Sequence, residues 1–477
     1  MYPDRAATRR SLRAAGATAF LLFGFIAVLV AAPALAEPRF EWSATLPFTG
    51  GLGQTHGDLV AHDGGITALH SRPDLGDLRL FFSRWTAAGT QVVARVVTGA
   101  GEIHYEPSLC WDGARYAVAT SSYTRGSFLL LGPTGDVLLP AVEPPSIPFG
   151  GRTAAFRVRC TPNGYAVFAL LLEPEFEGSP YYYTRLHYWL LDAAGAASVD
   201  RDLGILLAPI SYPGFEGQEK EYYDVAFSGA GFLVSYAAEC GSPASFQACY
   251  RVINLAGDSV RAEAPVTTVP TQGPHLATNG AAIGVATLRQ NPFPGGNTLF
   301  ARFFDLDGTP RGPEQRYDDP ALAPLGFAPT IVPTQAGFLA AYVQADPFTL
   351  AYHVMLAPFD AAGVRAGYGA PVADPRGLVF DTINLGIDFQ LAATGSLLFG
   401  KGQAGNIQVA PIVFRIPEPG ALPLGIAALI ALAARRATHR CFTPSRGGDE
   451  PIPGAHQVGP STRSTVRRMR STCEPSQ

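Results

Sequence analysis

The chain has 477 residues, a formal net charge of −4 at pH 7 and only 16% charged residues. This balance provides no basic surface for nucleic acid, so we expect no nucleic-acid partner. Its 52 glycines and 41 prolines favour many short strands joined by turns, because both residues interrupt regular elements. A chain of this length can hold several domains or one large β architecture.

Residues 1–36 have the pattern of an export signal. A positively charged start with Arg9 and Arg10 is followed by an apolar run and by the small residues Ala34 and Ala36. We therefore predict a signal helix that signal peptidase removes after Ala36, and a mature chain that is exported across the inner membrane. The Arg9-Arg10 pair also leaves the twin-arginine route open beside the general secretory route.

Residues 37–414 repeat one pattern of strands. Each repeat begins with a hairpin whose turn contains glycine, as at Asp63-Gly64 and Asp112-Gly113, and such turns are strong hairpin signals. An aromatic strand and a marker glycine end each of six repeats, the glycines being Gly89, Gly135, Gly195, Gly257, Gly308 and Gly363. Four strands per repeat at a period of 46–62 residues predict the blades of an all-β propeller.

A seventh repeat, from about Asp381 to Val413, lacks its outer strand. The segment Phe40–Leu46, at the start of the mature chain, is able to supply that strand. Such a closure pairs two strand edges that would otherwise be exposed. We therefore predict a propeller of seven four-stranded blades, with six blades as the alternative.

Long insertions are predicted to gather on one face of the propeller, because blade strands alternate in direction and the middle loops then share a face with the crossings between blades. Two insertions there are rich in aromatic and acidic residues, which suit a polysaccharide: rings stack on sugars and carboxylates accept hydroxyl protons. The alternative is that the tyrosines pack the loops against the blades. The candidate ligand-binding residues are Glu175, Tyr181, Tyr182, Tyr183, Tyr222 and Tyr223.

Export makes disulfides available to the cysteines of this chain. Cys240 and Cys249 flank an eight-residue loop between two strand-like runs, which predicts a bridge across a hairpin. Two buried thiols are the alternative. Cys110 and Cys160 occupy similar places in consecutive repeats, so a second bridge between them is also open.

Known catalytic and metal-binding patterns are absent or incomplete. Gly395–Lys401 spells most of a phosphate loop but lacks the final Ser or Thr, and no Gly-x-Ser-x-Gly elbow occurs. His56, His62 and His70 match no zinc spacing, and Asp305–Gly308 lacks the remaining ligands of a calcium loop. We therefore expect no cofactor, no metal and no catalytic residue, so that the chain is not an enzyme.

Residues 415–440 have the order of a sorting signal. Pro417, Glu418 and Pro419 precede an uncharged run that ends before Arg435 and Arg436. This arrangement resembles the PEP-CTERM family of Gram-negative bacteria, in which a Pro-Glu-Pro motif precedes a transmembrane helix and an arginine cluster. The resemblance implies processing by an exosortase-type membrane protease and a transient membrane anchor formed by the short C-terminal hydrophobic helix. The family pattern ends soon after the basic cluster, whereas residues 441–477 follow here, and their composition predicts disorder.

These features predict an exported, non-catalytic propeller of the cell envelope or the extracellular space. The two address signals and the repeats associate it with exopolysaccharide or the surface matrix. Two alternatives stay open. The first is a secreted glycan-cleaving enzyme, hydrolase or lyase, that uses the channel of the same propeller and needs carboxylates brought together from several blades. The second is a protein-binding surface scaffold.

Overall fold

The computed structural model describes most of the repeat region. The described residues are 39–42, 57–62, 65–74, 77–86, 90–98, 105–121, 126–144, 152–174, 181–211, 222–240, 247–290, 297–319, 326–345, 352–367, 370–373, 390–394, 397–404 and 406–415. They belong to the first of two compact units, Met1–Pro417, whereas the second unit, Glu418–Gln477, is outside the described residues. The predicted signal helix, C-terminal helix and tail are therefore outside them as well, with these site residues: Ala34, Ala36, Pro417, Glu418, Pro419, Arg435 and Arg436.

Every regular element among the described residues is a β-strand, which confirms the predicted all-β class. Strand β1 is Arg39–Trp42. Blade 1 contains β2 (Gly57–His62), β3 (Gly65–Asp74), β4 (Asp77–Thr86) and β5 (Gln91–Val96). Blade 2 contains β6 (Tyr105–Trp111), β7 (Tyr116–Ser121), β8 (Gly126–Leu131) and β9 (Val137–Val142). Blade 3 contains β10 (Arg152–Thr161), β11 (Gly164–Pro174), β12 (Tyr181–Leu191) and β13 (Ala197–Ser211).

The second half of the ring follows the same plan. Blade 4 contains β14 (Tyr223–Phe227), β15 (Gly231–Ala238), β16 (Gln247–Asn254) and β17 (Ser259–Pro265). Blade 5 contains β18 (Gln272–Thr278), β19 (Ile283–Gln290), β20 (Asn297–Phe304) and β21 (Gln315–Arg316). The remaining strands are β22 (Gly326–Thr334), β23 (Gly337–Ala345), β24 (Tyr352–Asp360), β25 (Ala370–Ala373), β26 (Gln390–Thr394), β27 (Leu397–Ala404) and β28 (Asn406–Arg415).

Blades 1 to 5 are antiparallel sheets in which the order of strands in space equals their order in the chain. The first strand of each blade lies beside the first strand of the next, so these inner strands surround the centre of the ring. Because neighbouring strands run in opposite directions, the first and third turns of every blade lie on one face, here called the turn face. The middle loops and the crossings between blades lie on the opposite face, here called the loop face.

The predicted count of seven blades is corrected to six. The described strands form six sheets, five of four strands and one of eight in the order β22-β23-β24-β25-β1-β28-β27-β26. The physical reason is β1, which pairs in parallel with β25 and in antiparallel with β28, and so joins two sets of strands into one sheet. This sheet is blade 6, and the alternative count of six agrees with it.

Strand β1 closes the ring at the place that the sequence predicts for the N-terminal segment. Arg39 lies opposite Arg415 and Trp42 lies opposite Ile412, so all four residues of β1 pair with β28. The two edge strands of blade 6 complete the ring of inner strands, because β22 lies beside β18, β26 lies beside β2, and β22 and β26 lie beside each other. The N-terminal strand therefore covers two edges that would otherwise be open to aggregation.

The hydrophobic core lies between the blades. In blade 2 every residue of β7 is buried, whereas most residues of the outer strand β9 are exposed. A strand packed on both faces by adjacent blades carries a continuous apolar run, which explains the unbroken apolar stretches of the second strands. Between blades 3 and 4 the rings of Phe168 and Phe232 pack edge to face, 5.2 Å between centroids.

The marker glycines end the third turns and contact the preceding blade. The five that the structure describes have φ between 76° and 82°, a conformation that strains any residue with a Cβ. A Cβ on each would meet a side chain of the blade before it: Phe82 for Gly135, Val142 for Gly195, Tyr188 for Gly257, Val252 for Gly308 and Phe303 for Gly363. The repeated glycine is therefore required twice, by the turn and by the packing of consecutive blades.

Both disulfides considered from the sequence are formed. Cys240, two residues after the end of β15, is bonded to Cys249 in β16 of blade 4, and Cys110 and Cys160 bridge the inner strands of blades 2 and 3. Two disulfides are consistent with an extracellular or periplasmic location. Among the described residues we find no helix that is long and apolar enough to cross a membrane.

Candidate functional site

One position on the inner strands links each blade to the next. The N–H of Leu109 in blade 2 donates to Asp58 Oδ2 in blade 1, at 2.7 Å. In the same way the N–H of Val158 donates to Ser108 Oγ at 3.1 Å, and the N–H of Leu276 donates to Asp224 Oδ2 at 2.8 Å. A polar side chain at this link position replaces the backbone partner that an inner strand lacks on its central edge. The equivalent residues are Asp58, Ser108, Arg157, Asp224, His275 and Thr330.

A β-bulge stands directly before four of these link residues. The register of the inner hairpins shifts just before Ser108, Arg157, His275 and Thr330. A bulge bends its strand and redirects the side chain that follows it. The bulges therefore direct the side chains of the link residues along the centre of the ring. The two-residue alternation of a strand does not encode this direction.

The joint between blades 3 and 4 differs from the other joints in its charge. Arg157 occupies the link position of blade 3, and Arg159 follows two residues later on the same side of β10. In the other described blades the position equivalent to Arg159 is held by Val60, Cys110, Ala226, Ala277 and Val332. Blade 2 uses Cys110 for its disulfide to blade 3, so blade 3 has a charged contact where blade 2 has a covalent one.

The carboxylate of Asp224 in blade 4 pairs with both arginines. Arg159 Nη2 lies 2.7 Å from Asp224 Oδ1, and Arg157 Nε lies 3.4 Å from the same oxygen. Arg159 also donates from Nε to the carbonyl of Val225 at 2.6 Å, which fixes the guanidinium against β14. We call Arg157, Arg159, Asp224 and His275 the charged joint.

The charged joint holds an ionised carboxylate inside the protein. Burial raises the pKa of Asp224, but the positive charges of Arg159, Arg157 and His275 outweigh burial and bring it below its ordinary value. Two arginines and His275 act on one carboxylate, so the cluster carries an excess of positive charge. Its groups can bind an anion and exchange a proton.

Backbone strain occurs at the same joint. Ala155, inside the bulge of β10, has φ of 50°, and it is the single non-glycine residue with positive φ among the described residues. The hydroxyl of Tyr223 donates to the Ala155 carbonyl and holds this conformation. Strained residues of this kind persist where the surroundings over-determine them, which is frequent at functional sites.

This contact corrects the role predicted for Tyr223. The side chain is fully buried, its ring lies 5.6 Å from the guanidinium carbon of Arg157, and its hydroxyl is bonded inside the core. It is a packing residue and not a surface platform for sugars. Tyr222 is half-buried and packs against the core of blades 3 and 4.

The other candidate ligand residues lie at the edge of blade 3. Tyr181, Tyr182 and Tyr183 begin β12 and pair with β11 or β13, so their backbone lies at the loop face. Their side chains and Glu175 are outside the described residues. Ligand binding by these residues stays a prediction, and they belong to blade 3, which also carries Arg157 and Arg159 of the charged joint.

His62, His70 and the Asp305–Gly308 segment, which form only incomplete metal motifs, pack in the core or form a turn. His62 is buried beside Trp111 and Tyr116, and His70 stacks on Phe81, while His56 is outside the described residues. Asp305–Gly308 forms a tight turn in which the Gly308 N–H donates to the Asp305 carbonyl. The described residues contain no group of three potential metal ligands.

Sequence reasoning missed the charged joint. Its one local signal is Arg157-Val158-Arg159, two like charges on one side of a strand that otherwise follows the apolar pattern of the inner strands. The partner of these arginines is 65 residues away from Arg159, and a single sequence does not reveal that pairing.

No family model matches this chain, and no curated protein matches it. Similar solved structures include the polysaccharide lyase Uly1, with 10% identity, coverage of 80% of this chain and 94% of that chain, and a TM-score of 0.45. The β-propeller domain of the Trilobed protease from Pyrococcus furiosus has 8% identity, coverage of 75% and 94%, and a TM-score of 0.42.

A third similar structure is the acylaminoacyl peptidase from Pyrococcus horikoshii, with 10% identity and a TM-score of 0.42. The match covers 74% of this chain and 49% of the peptidase, so the chain spans about half the length of that enzyme. At this identity the likeness concerns the propeller fold. The prediction that the chain is not an enzyme is corrected; the similar propellers are enzymes or a domain of one. The absence of a local motif does not exclude a centre assembled from several blades.

Proposed function

We propose that this protein is an exported glycan-cleaving propeller enzyme whose substrate binds at the charged joint. The observation that carries the proposal is the set of two arginines, a carboxylate and an imidazole that three consecutive blades bring to the inner strands. These groups supply what cleavage of a glycosidic bond needs: charge to hold the sugar and a side chain that exchanges a proton near neutral pH.

The loop face of the same blades supports a glycan as the substrate. The insertions after β11 and after β13 carry the aromatic and acidic residues of the ligand prediction, and both insertions leave blade 3 at that face. Aromatic rings that stack on sugars would hold a chain across the mouth of the ring, and the charged joint lies on the inner strands below. Sugar binding would then use the loop face of blade 3, and bond cleavage would use the inner strands of blades 3, 4 and 5.

The test is an activity assay with the full chain purified from its producing strain. The strain's own polysaccharide is incubated with the protein, and reducing ends and unsaturated sugars are measured over time. New reducing ends alone indicate hydrolysis, and reducing ends with unsaturated sugars indicate elimination. If no polysaccharide from the envelope or the medium yields either product, the proposal is wrong.

A pair of variants connects activity to the charged joint. His275→Gln should lower the rate at least about 100-fold, in the range typical of a lost general acid or base. His187→Gln is the control, because His187 is bonded to Asp200 on the two outer strands of blade 3, away from the inner strands. Equal activity of both variants would remove the catalytic role from the joint.

We also propose that the protein reaches the envelope through both address signals. Signal peptidase would cut after Ala36, and an exosortase-type protease would process the chain at Pro417-Glu418-Pro419 after transient anchoring by the following helix. Exopolysaccharide at the cell surface would then be the substrate within reach. Mass spectrometry of the secreted protein should find no peptide that spans Phe414 to Arg436, and finding such peptides would reject processing.

A further inference from the structure

We infer that the charged joint recognises the acidic groups of its glycan, so that the substrate class is a polysaccharide that carries carboxylates. This inference rests on the proposed function and specifies its substrate. Its basis is Arg159, which combines hydrogen-bond capacity, partial exposure and a fixed orientation at the centre of the ring.

Arg159 retains donors for a ligand. A guanidinium has five N–H donors. Three contacts of Arg159 are seen: Nε to the Val225 carbonyl, Nη1 to the Val158 carbonyl and Nη2 to Asp224. Among the described residues each nitrogen therefore makes one protein contact, which leaves two N–H groups on the terminal nitrogens. A guanidinium matches a carboxylate in the two-pronged geometry that gives strong charge-assisted hydrogen bonds.

The exposure of the two arginines separates their roles. The Arg159 side chain is 24% exposed, whereas the Arg157 side chain is 9% exposed and lies against the ring of Tyr223. Arg157 is therefore the structural partner that holds Asp224 in place, and Arg159 is the one that a ligand can reach.

The charge of the joint favours an anion over a neutral sugar. Asp224 is ionised at neutral pH and cancels one of the two arginine charges. The remaining positive charge lies on inner strands that are otherwise apolar or neutral at the position equivalent to Arg159. A fixed cation in such surroundings attracts an acidic chain more strongly than the same cation in water would.

Pairs of glycans that differ only in their carboxyl groups test whether the glycan carboxylate is recognised. Alginate, polygalacturonate and hyaluronan are each used in native form and after chemical reduction of their uronic carboxyl groups to alcohols. The reduction keeps the linkages and the chain length and removes the charge. Binding of short fragments is measured by calorimetry, and cleavage is measured by reducing ends. We expect binding of one native glycan at least about tenfold tighter than of its reduced form, the contribution of a hydrogen-bonded ion pair.

Variants assign that preference to Arg159. Arg159→Gln should weaken binding of the native glycan by about 10-fold to 100-fold and leave the weak binding of the reduced form unchanged. Arg159→Lys keeps a charged partner for Asp224 and should weaken binding of the native glycan less than Arg159→Gln does. Some binding should still be lost, because an ammonium lacks the two-pronged geometry. Arg185→Gln is the control: it removes the same charge from blade 3 at an exposed ion pair with Asp202 on the outer strands. Thermal unfolding of every variant verifies that it is folded.

The outcomes separate this inference from the proposed function. Cleavage of native and reduced glycans at equal rates would keep the enzyme and overturn the acidic specificity. Binding of a native glycan that depends on Arg159 but is followed by no cleavage would keep the specificity and overturn the enzyme. Absence of binding to both forms of all three glycans would overturn the acidic specificity, while cleavage of the strain's own polysaccharide decides the proposed function separately. An equal loss of binding in Arg185→Gln and Arg159→Gln would show general surface attraction and overturn the role of Arg159.

Discussion

At the scale of single residues, Asp224 is the point where three blades meet. Its Oδ1 accepts from Arg159 of blade 3, and its Oδ2 accepts from the N–H of Leu276 of blade 5. The carboxylate is nearly fully buried, so its charge is stable there only because its partners surround it. Removing the carboxylate leaves the arginines without a counter-charge, and removing the arginines leaves the buried carboxylate without one.

Asp224→Asn should lower the free energy of unfolding by about 3–5 kcal/mol, because it leaves two arginines facing a neutral amide. Urea unfolding at neutral pH measures the loss. Asp136→Asn is the control, since Asp136 also pairs with an arginine, Arg95, but at an exposed turn where such pairs contribute little. A wild-type stability for Asp224→Asn would contradict the role of the carboxylate.

The same residue predicts a difference in acid stability. The pKa of Asp224 is lower in the folded protein than its ordinary value, so its ionised form stabilises the fold above about pH 4. That contribution is lost as the pH falls through the lowered pKa. Melting temperature measured from about pH 6 downward should therefore fall more steeply in wild type than in Asp224→Asn. Parallel curves would place the acid sensitivity elsewhere.

At the scale of elements, the third turns are the contacts that set one blade against the next. In blade 6 the Asp360 carboxylate accepts from the N–H groups of Ala362 and Val364, and this turn places Gly363 on the ring of Phe303 in blade 5. Such a turn needs glycine for its conformation, and the interface needs it for its size.

Gly363→Ala and Gly280→Ala separate these two requirements. Both glycines have φ near 80°, so each alanine costs about 1–2 kcal/mol in backbone strain. A Cβ at Gly280 meets nothing within 4 Å, whereas at Gly363 it overlaps the ring of Phe303. We expect Gly363→Ala to lose about 1–3 kcal/mol more than Gly280→Ala in chemical unfolding. Equal losses would mean that the interface adapts.

The two disulfides should differ in their contribution to stability. Cys110–Cys160 closes a span of 50 residues and Cys240–Cys249 a span of 9. Loop-closure entropy then predicts losses of about 4 and about 2.5 kcal/mol when each pair is replaced by alanine. Denaturant unfolding without reductant compares the two double variants. A larger loss for the short loop would indicate that native contacts, and not the unfolded chain, decide the effect.

At the scale of the whole molecule, the ring depends on β1. Glu41 lies opposite Ala373 in β25 and opposite Val413 in β28, so its backbone stands between two partner strands. Glu41→Pro should cost about 1–3 kcal/mol, since the proline ring has no N–H and leaves a partner unsatisfied. Limited proteolysis should then cut β28 or β25 faster.

Val260→Pro is the control for this strand. Val260 lies on the outer edge strand β17 between the paired residues Ser259 and Arg261, is exposed, and has no partner of its own in the register. Proline is tolerated best on edge strands and at bulges. If both proline variants lose equal stability, β1 is no more important to the ring than an ordinary edge.

The sequence predicts those parts of this structure that are local. Asp-Gly and Asn-Gly turns, marker glycines and the spacing of Cys240 and Cys249 each depend on a few neighbouring residues, and the strands and bridges follow them. The merging of strands into blade 6 depends on a parallel pairing of β1 with β25, more than 300 residues apart, which no periodicity encodes. The charged joint depends on a bulge at Ala155 and on side chains that cross between blades, so its members are separated in the chain.

The pairing of β1 with β28 also bears on the connectivity of the chain. Because the two strands are antiparallel with Arg39 opposite Arg415, the chain enters and leaves the described ring at the same point. A short linker would therefore join the two ends, and new termini opened in an exposed first turn, such as the one around Gly229 in blade 4, where an added Cβ meets nothing within 4 Å, would give a circular permutant with the same contacts between blades. The order of blades in the gene is thus independent of their order around the ring.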